Sequence, residues 1–114
     1  MTTVWGLVPT ASAGHVVAPG DFEAQARQAL ENLLIALAAA GSGPEQVLKT
    51  TIFIATANRA DLVRVWNVIA DGFGAARPPS TLLGVAMLGY PDQLVEIEAV
   101  ALCERDAGPR GLDQ

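Results

Sequence analysis

The residues best suited to chemistry are two glutamates, Glu96 and Glu98, in the run from Leu94 to Cys103. In an extended strand, residues two apart share a face. One face of this run carries Val95, Ile97, Ala99, Ala101 and Cys103, all apolar and mostly small. The opposite face carries Leu94, Glu96, Glu98, Val100 and Leu102, so two carboxylates stand among large apolar groups. A carboxylate in such surroundings can orient a water and shuttle its proton, provided burial or neighbours tune it. It can equally be solvated or serve only to fix an interface, and the residues alone leave both readings open.

Other reactive side chains are few. His15 is the sole histidine, which excludes a histidine-based triad and a two-histidine metal site; it reads as a surface residue beside a turn. Cys103 is the sole cysteine. It excludes an intrachain disulfide framework and a cysteine zinc site, and reads as a buried filler. Ser80 and Thr81 have no adjacent general base, against a hydrolase nucleophile. Gly14, Gly41 and Gly43 form neither a phosphate loop nor a dinucleotide fingerprint. Trp66 reads as packing, Tyr90 as a turn residue, and Arg77 as a solvated cation ahead of Pro78-Pro79.

The elements that must position the glutamates follow from periodicity. Thr2 to Val8 is β-prone and stops at Pro9; His15-Val16-Val17 resumes an extended run. Asp21 caps a helix from Phe22, whose apolar positions recur at Ala26, Leu30, Leu33, Leu37 and Ala40 and which Gly41 and Gly43 end. Val47 to Ala55 has strong strand character. Asn58 or Asp61 caps a second helix that buries Leu62, Val65, Trp66, Ile69 and Phe73, and Pro78-Pro79 forbids its continuation. Thr81 to Leu88 is nearly all apolar, as in a strand covered on both faces. Gly89-Tyr90-Pro91-Asp92 turns the chain into the glutamate-bearing strand. The order strand, helix, strand, helix, strand, strand describes an α+β sandwich: a mixed sheet with two helices on one face.

Composition narrows the class. The 114 residues fit one domain, expected over 1–105, with 106–114 a frayed tail. Hydrophobic residues make up 51% and charged residues 17%, which argues against disorder. Seven basic against twelve acidic residues give a net charge of −5, the wrong sign for gripping phosphate backbones, so no nucleic-acid partner is expected. No apolar run approaches the roughly 20 residues of a membrane span, and the first residues do not read as a signal peptide. The expected location is cytoplasmic.

Two helices cover only one face of such a sheet. The other presents Leu94, Val100, Leu102 and alternate residues of the Thr81 to Leu88 strand. An apolar patch above roughly 400 Å² usually marks an interface, and closed symmetric self-association is the simplest cover. Glu96 and Glu98 then lie at or near a subunit boundary.

Three segments resemble the RidA (YjgF/YER-type) family, also labelled endoribonuclease L-PSP-like. Phe22 to Leu33 looks like its first helix, Val47 to Ile54 its "VKTTVFV" strand, and Val95 to Ala101 its closing "IEIEAIA" strand. They occur in the family's order and spacing, and the similarity runs from about Val4 to Leu102. The resemblance implies a chorismate-mutase-like fold assembled as a homotrimer, with a central β-barrel and three intersubunit clefts for small metabolites. It also implies a deaminase that hydrolyses enamines and imines of 2-keto acids without a metal or organic cofactor. Family members that keep the fold without the chemistry, as trimeric ligand-binding or chaperone-like modules, and an endoribonuclease label are the alternatives.

On the matching positions, the first glutamate of the closing strand supports the water-orienting role and corresponds to Glu96. The family's anchoring arginine, in "P-A-R-S/T", falls on Ser80 when Val85-Ala86 and Leu88 are set on "VARL". A serine offers one hydrogen bond where arginine grips a carboxylate with two, a loss of roughly 1.5–3 kcal/mol or more. Arg77 is a candidate replacement, and a substrate without a carboxylate would suit the change. The chain opens near the family's "SGQ" motif, with Trp5-Gly6-Leu7 in its place, so the family's additional first strand and "GPYSQA"-like segment have no counterpart. The Gly6 N–H can still meet a carboxylate, and Trp5 in place of serine reshapes the pocket. The expected substrate-binding set is Gly6, Trp5, Arg77, Ser80, Thr81 and Leu82, with Glu96 catalytic.

Overall fold

A computed structural model describes the backbone of residues 2–7 and the whole of residues 16–103. The elements, in chain order, are β1 (Thr2–Leu7), α1 (Phe22–Ala39), β2 (Val47–Ala55), α2 (Arg59–Phe73), β3 (Ser80–Val85) and β4 (Val95–Leu102). Short 3-10 turns at Pro44–Gln46 and Gly74–Ala76 follow the two helices. The sheet has the order β1-β4-β2-β3. The β1–β4 and β4–β2 pairs are antiparallel, whereas β2 and β3 are parallel and joined through α2. His15 and the expected tail from residue 106 lie outside the described residues, and Val16 makes an isolated bridge rather than a strand.

Each helix begins and ends for a local reason. The Asp21 carboxylate accepts a hydrogen bond from Ala24 N–H at 3.0 Å, capping α1. At its end Ser42 N–H reaches Leu37 O and Gly41 N–H reaches Ala38 O, the paired bonds of a Schellman stop. That stop puts Gly41 at φ +76°, where a Cβ is strained. Of the two candidate caps for α2, Asn58 does the work, accepting from Ala60 N–H, while Asp61 accepts from Thr56 Oγ1 and pairs with Arg64.

The core lies between the helices and one face of the sheet. Ala26, Ala29, Leu30, Leu33 and Leu37 of α1 and Val65, Ile69 and Phe73 of α2 meet Ile52 and Ile54 of β2. From β4 come Val95, Ile97, Ala99 and Ala101, the small apolar face expected from the sequence. Leu62 and Trp66 pack against its margin.

β3 departs from expectation. Its apolar run suggested a strand covered on both sides, but it is an edge strand of six residues whose ladder ends at Val85. Leu82 packs against the core, while Leu83 on the reverse is 43% exposed. Within one chain the apolar content of β3 is thus only half used. Gly84 is required where β3 closes on the end of β2, because a Cβ there would come within 2.8 Å of Thr56 O.

Leu33 is fully buried at the centre of α1. Leu33→Ala is expected to destabilise the fold by about 2–5 kcal/mol, and Asp21→Ala by about 1 kcal/mol. Chemical denaturation at fixed protein concentration measures both.

Candidate functional site

The uncovered sheet face is assembled row by row from the strand registers. Glu96 on β4 pairs with Phe53 on β2, which pairs with Leu83 on β3. One row along, Glu98 pairs with Gly6 of β1 on one side and Thr51 of β2 on the other, and Thr51 pairs with Thr81. The next row sets Val100 against Lys49. The alternation of β4 therefore delivers both carboxylates to one surface, their Cα atoms about 6.6 Å apart. Glu96 is half-buried and Glu98 exposed. Phe53, Val100 and the exposed Leu83 and Leu102 make the surroundings apolar. Lys49 is the one cation that the described side chains of this face provide.

The Glu96 carboxylate has a defined partner. Gln93, 4% exposed and just ahead of β4, donates from Nε2 to Glu96 Oε1 at 3.4 Å and to Val95 O at 3.2 Å. The Gln93 Oε1 accepts from Tyr90 N–H at 3.1 Å. Sequence reading did not single out Gln93, which stands outside the strand alternation that exposes Glu96. Phe53, Thr51 and Lys49 were within reach of the period-two pattern of β2 but became relevant only once the register placed them beside β4.

The other expected site residues divide. Gly6 and Thr81 share the row of Glu98, on opposite sides of it, and β1 sets Trp5 opposite Ala99. The Trp5 side chain lies outside the described structure. Ser80 and Leu82 belong to the helix-covered side. Thr50 Oγ1 donates to Ser80 Oγ at 2.6 Å, and Ser80 Oγ donates onward to Pro78 O at 3.0 Å. With Thr50 only 1% exposed, the Ser80 hydroxyl is committed inside the sheet, on the face away from Glu96. Leu82 is half-buried against the core. Arg77 is exposed after the 3-10 turn and has no ion-pair partner among the described residues. One chain therefore gathers Glu96, Glu98, Thr81 and Gly6 on the same part of the sheet and leaves Ser80, Leu82 and Arg77 elsewhere.

Among the described residues, no three of His, Cys, Asp and Glu gather as a metal-binding group. No helix there is long and apolar enough to cross a membrane. A groove of about 800 Å³ does exist, but it runs along the outer side of the helix layer. Leu30, Leu34, Ile35 and Val68 line it, and it contains none of the expected site residues.

Comparison with known proteins gives this surface a context. The family model of endoribonuclease L-PSP matches residues 1–103. The RutC family protein PH0854 of Pyrococcus horikoshii is 34% identical over 99 residues, covering 87% of this chain and 76% of that protein. TdcF of Escherichia coli, provisionally named a reactive intermediate deaminase, is 35% identical over 85 residues, 74% of this chain and 65% of TdcF. Among solved structures, YyfB of Yersinia pestis, described as a conserved Rid family protein of unknown function, superimposes with a TM-score of 0.78 at 31% identity. That superposition covers 88% of this chain and 77% of YyfB.

The hydroxyl chain through Ser80 yields a direct expectation. Ser80→Ala leaves the buried Thr50 hydroxyl without its acceptor and is expected to lower stability by about 1 kcal/mol, read by denaturant titration.

Proposed function

The chain belongs to the endoribonuclease L-PSP family, the RidA or YjgF proteins, and from that premise we propose that it is an imine deaminase working in clefts between the subunits of a homotrimer. Three open sheet faces wrap into a central barrel, and each cleft forms where one copy's Glu96 surface meets its neighbour. The observation that carries the reading is a half-buried, hydrogen-bonded carboxylate on an apolar sheet face that one chain leaves uncovered. A monomer seldom exposes such a face, and an enclosed carboxylate beside it is suited to holding a water.

The chemistry is hydrolysis of a C=N bond. An enamine first takes up a proton at carbon and gives one up from nitrogen, becoming the imine. Water then adds to the imine carbon while its proton passes through Glu96 to the nitrogen. The carbinolamine so formed breaks its C–N bond as its hydroxyl proton is passed to the departing nitrogen, giving a carbonyl compound and ammonia. Water addition, C–N cleavage and the accompanying proton transfers involve no net oxidation or reduction, so the reading calls for no redox cofactor. Substrates are 2-imino acids or related imines, held differently from the family pattern, because Ser80 stands where the anchoring arginine is expected and its hydroxyl is already engaged by Thr50 and Pro78.

The same observation favours a second reading, a trimeric ligand-binding module that has kept the clefts and lost the turnover. Ammonia release separates the two. The deaminase accelerates keto-product formation from imines generated in situ, and Glu96→Gln lowers kcat by about 10²–10⁴-fold. Ligand binding without turnover selects the module, and neither turnover nor binding discards both. An RNA-cleaving activity finds no support in a face whose described side chains pair two carboxylates with one lysine.

The assembly is tested separately. Sedimentation is expected to give three times the 11.8 kDa chain mass. Leu83→Glu, which sets a charge on the exposed apolar side of the edge strand β3, is expected to shift the protein toward monomer while its helix content is retained.

A further inference from the structure

Glu96 is the second residue of β4, close to a strand end that would ordinarily leave a long side chain loosely held. Here the turn before it is tightly built. Gln93 N–H donates to Tyr90 O at 3.1 Å, closing a turn with Pro91 and Asp92 at its centre, and Asp92 takes φ +66°. The Gln93 side chain then folds back on the same residue, its Oε1 accepting Tyr90 N–H. This contact fixes the amide orientation by chemistry. Tyr90 N–H is only a donor and Val95 O only an acceptor, so a flipped amide would oppose like groups at both contacts. Nε2 must therefore face Glu96.

A second buried amide keeps this arrangement in place. Gln25 of α1, with no exposed surface, donates from Nε2 to Asp92 O at 2.9 Å and accepts Leu94 N–H on Oε1 at 2.8 Å. It thus grips the backbone on either side of Gln93, and its Nε2 also reaches Ala18 O at 3.3 Å.

We propose that Gln93 is a positioning residue for Glu96, holding the carboxylate oxygen Oε1 through its Nε2–H so that the other oxygen is presented to the open face. The inference rests on the reading of Glu96 as the water-orienting group. Gln93 touches no substrate; it restricts the rotamers of the group that does. Its loss is felt in turnover rather than in binding.

The test uses the assembled full-length protein and two independent readouts. In the first, the Gln93 side-chain amide signals are followed by nuclear magnetic resonance in the parent protein and in Glu96→Gln. A large displacement of those signals is expected; unmoved signals overturn the proposal, whatever the enzyme does. In the second, Gln93→Met and Gln93→Glu are assayed on imines generated in situ. Both are expected to lower kcat about tenfold, with KM changed less than twofold. Gln93→Glu is the discriminating variant, since its carboxylate can still accept Tyr90 N–H but turns an oxygen toward Glu96. If it keeps the parent kcat, or if both variants lose only thermal stability, Gln93 merely builds the turn and the proposal is wrong. Should Glu96→Gln itself leave turnover intact, the catalytic reading of Glu96 fails, and with it a positioning role for Gln93 in the reaction. Displaced amide signals in that case assign the contact to the fold alone.

Discussion

Two helices can shield one face of a four-stranded sheet, and the energetics of this chain follow from that limit. Ile52, Ile54, Val95, Ile97, Ala99 and Ala101 are all essentially sealed beneath α1 and α2, while their strand neighbours point the other way. The period of a strand is two, so hydrophobic burial on one side fixes what the other side displays. A shift of one residue in β4 would bring Glu96 and Glu98 into the core and expel Ile97 and Ala99. Burying two unpaired carboxylates costs far more than any gain in ladder hydrogen bonds. The core therefore specifies the placement of the carboxylates without touching them, and leaves the apolar groups around them uncovered within one chain.

The placement of Ser80 bears on which ligands such a surface can hold. The register sets Ser80 opposite Thr50 and Glu96 opposite Phe53, three positions apart along β2 and on opposite sides of the sheet. A hydroxyl that already accepts from Thr50 and donates to Pro78 O has little left to offer a ligand. An arginine at the same position has a side chain long enough to leave that side and a charge that resists burial, so it would seek a carboxylate elsewhere. Serine at this position instead ties β3 to β2 through its bonds to Thr50 and Pro78.

Much of the fold is legible in the residues, because local signals and burial agree. Asp21 before an apolar helical period, Gly41 at its end and the two faces of Val95 to Cys103 each have one physical reading, and the structure follows it. The apolar run from Thr81 misleads for an equally physical reason. A strand covered by two layers and an edge strand covered by one, with further apolar residues on its outer face, have the same composition. Only the sheet order distinguishes them. Gln93 was invisible for a different reason: an amide carries no periodic signal, and its importance depends on Tyr90 and Glu96 lying three residues to either side of it in a particular turn. Face is likewise a property of register, so the alignment of Ser80 with an arginine could not reveal that its hydroxyl points into the sheet.

The glutamate strand is also held at a fixed distance by its partner helix. Near the start of α1, Gln25 bonds the backbone at Asp92 and Leu94; just beyond its end, Ser42 Oγ donates to Leu102 O at 2.6 Å. Helix and strand thus run in the same direction and are tied at both ends. Their lengths match: 18 helical residues rise about 27 Å, and 8 extended residues about 26 Å. A longer helix would push its clamp past the strand, and a shorter one would leave a tie unmade. The two ties differ in kind. The Ser42 bond is a single exposed contact that water can replace, whereas Gln25 is fully enclosed and cannot lose its partners without stranding an amide in the core. The Glu96 end of β4 is consequently the firmer one, and its carboxylate sits on backbone anchored by a buried amide rather than by a contact open to water.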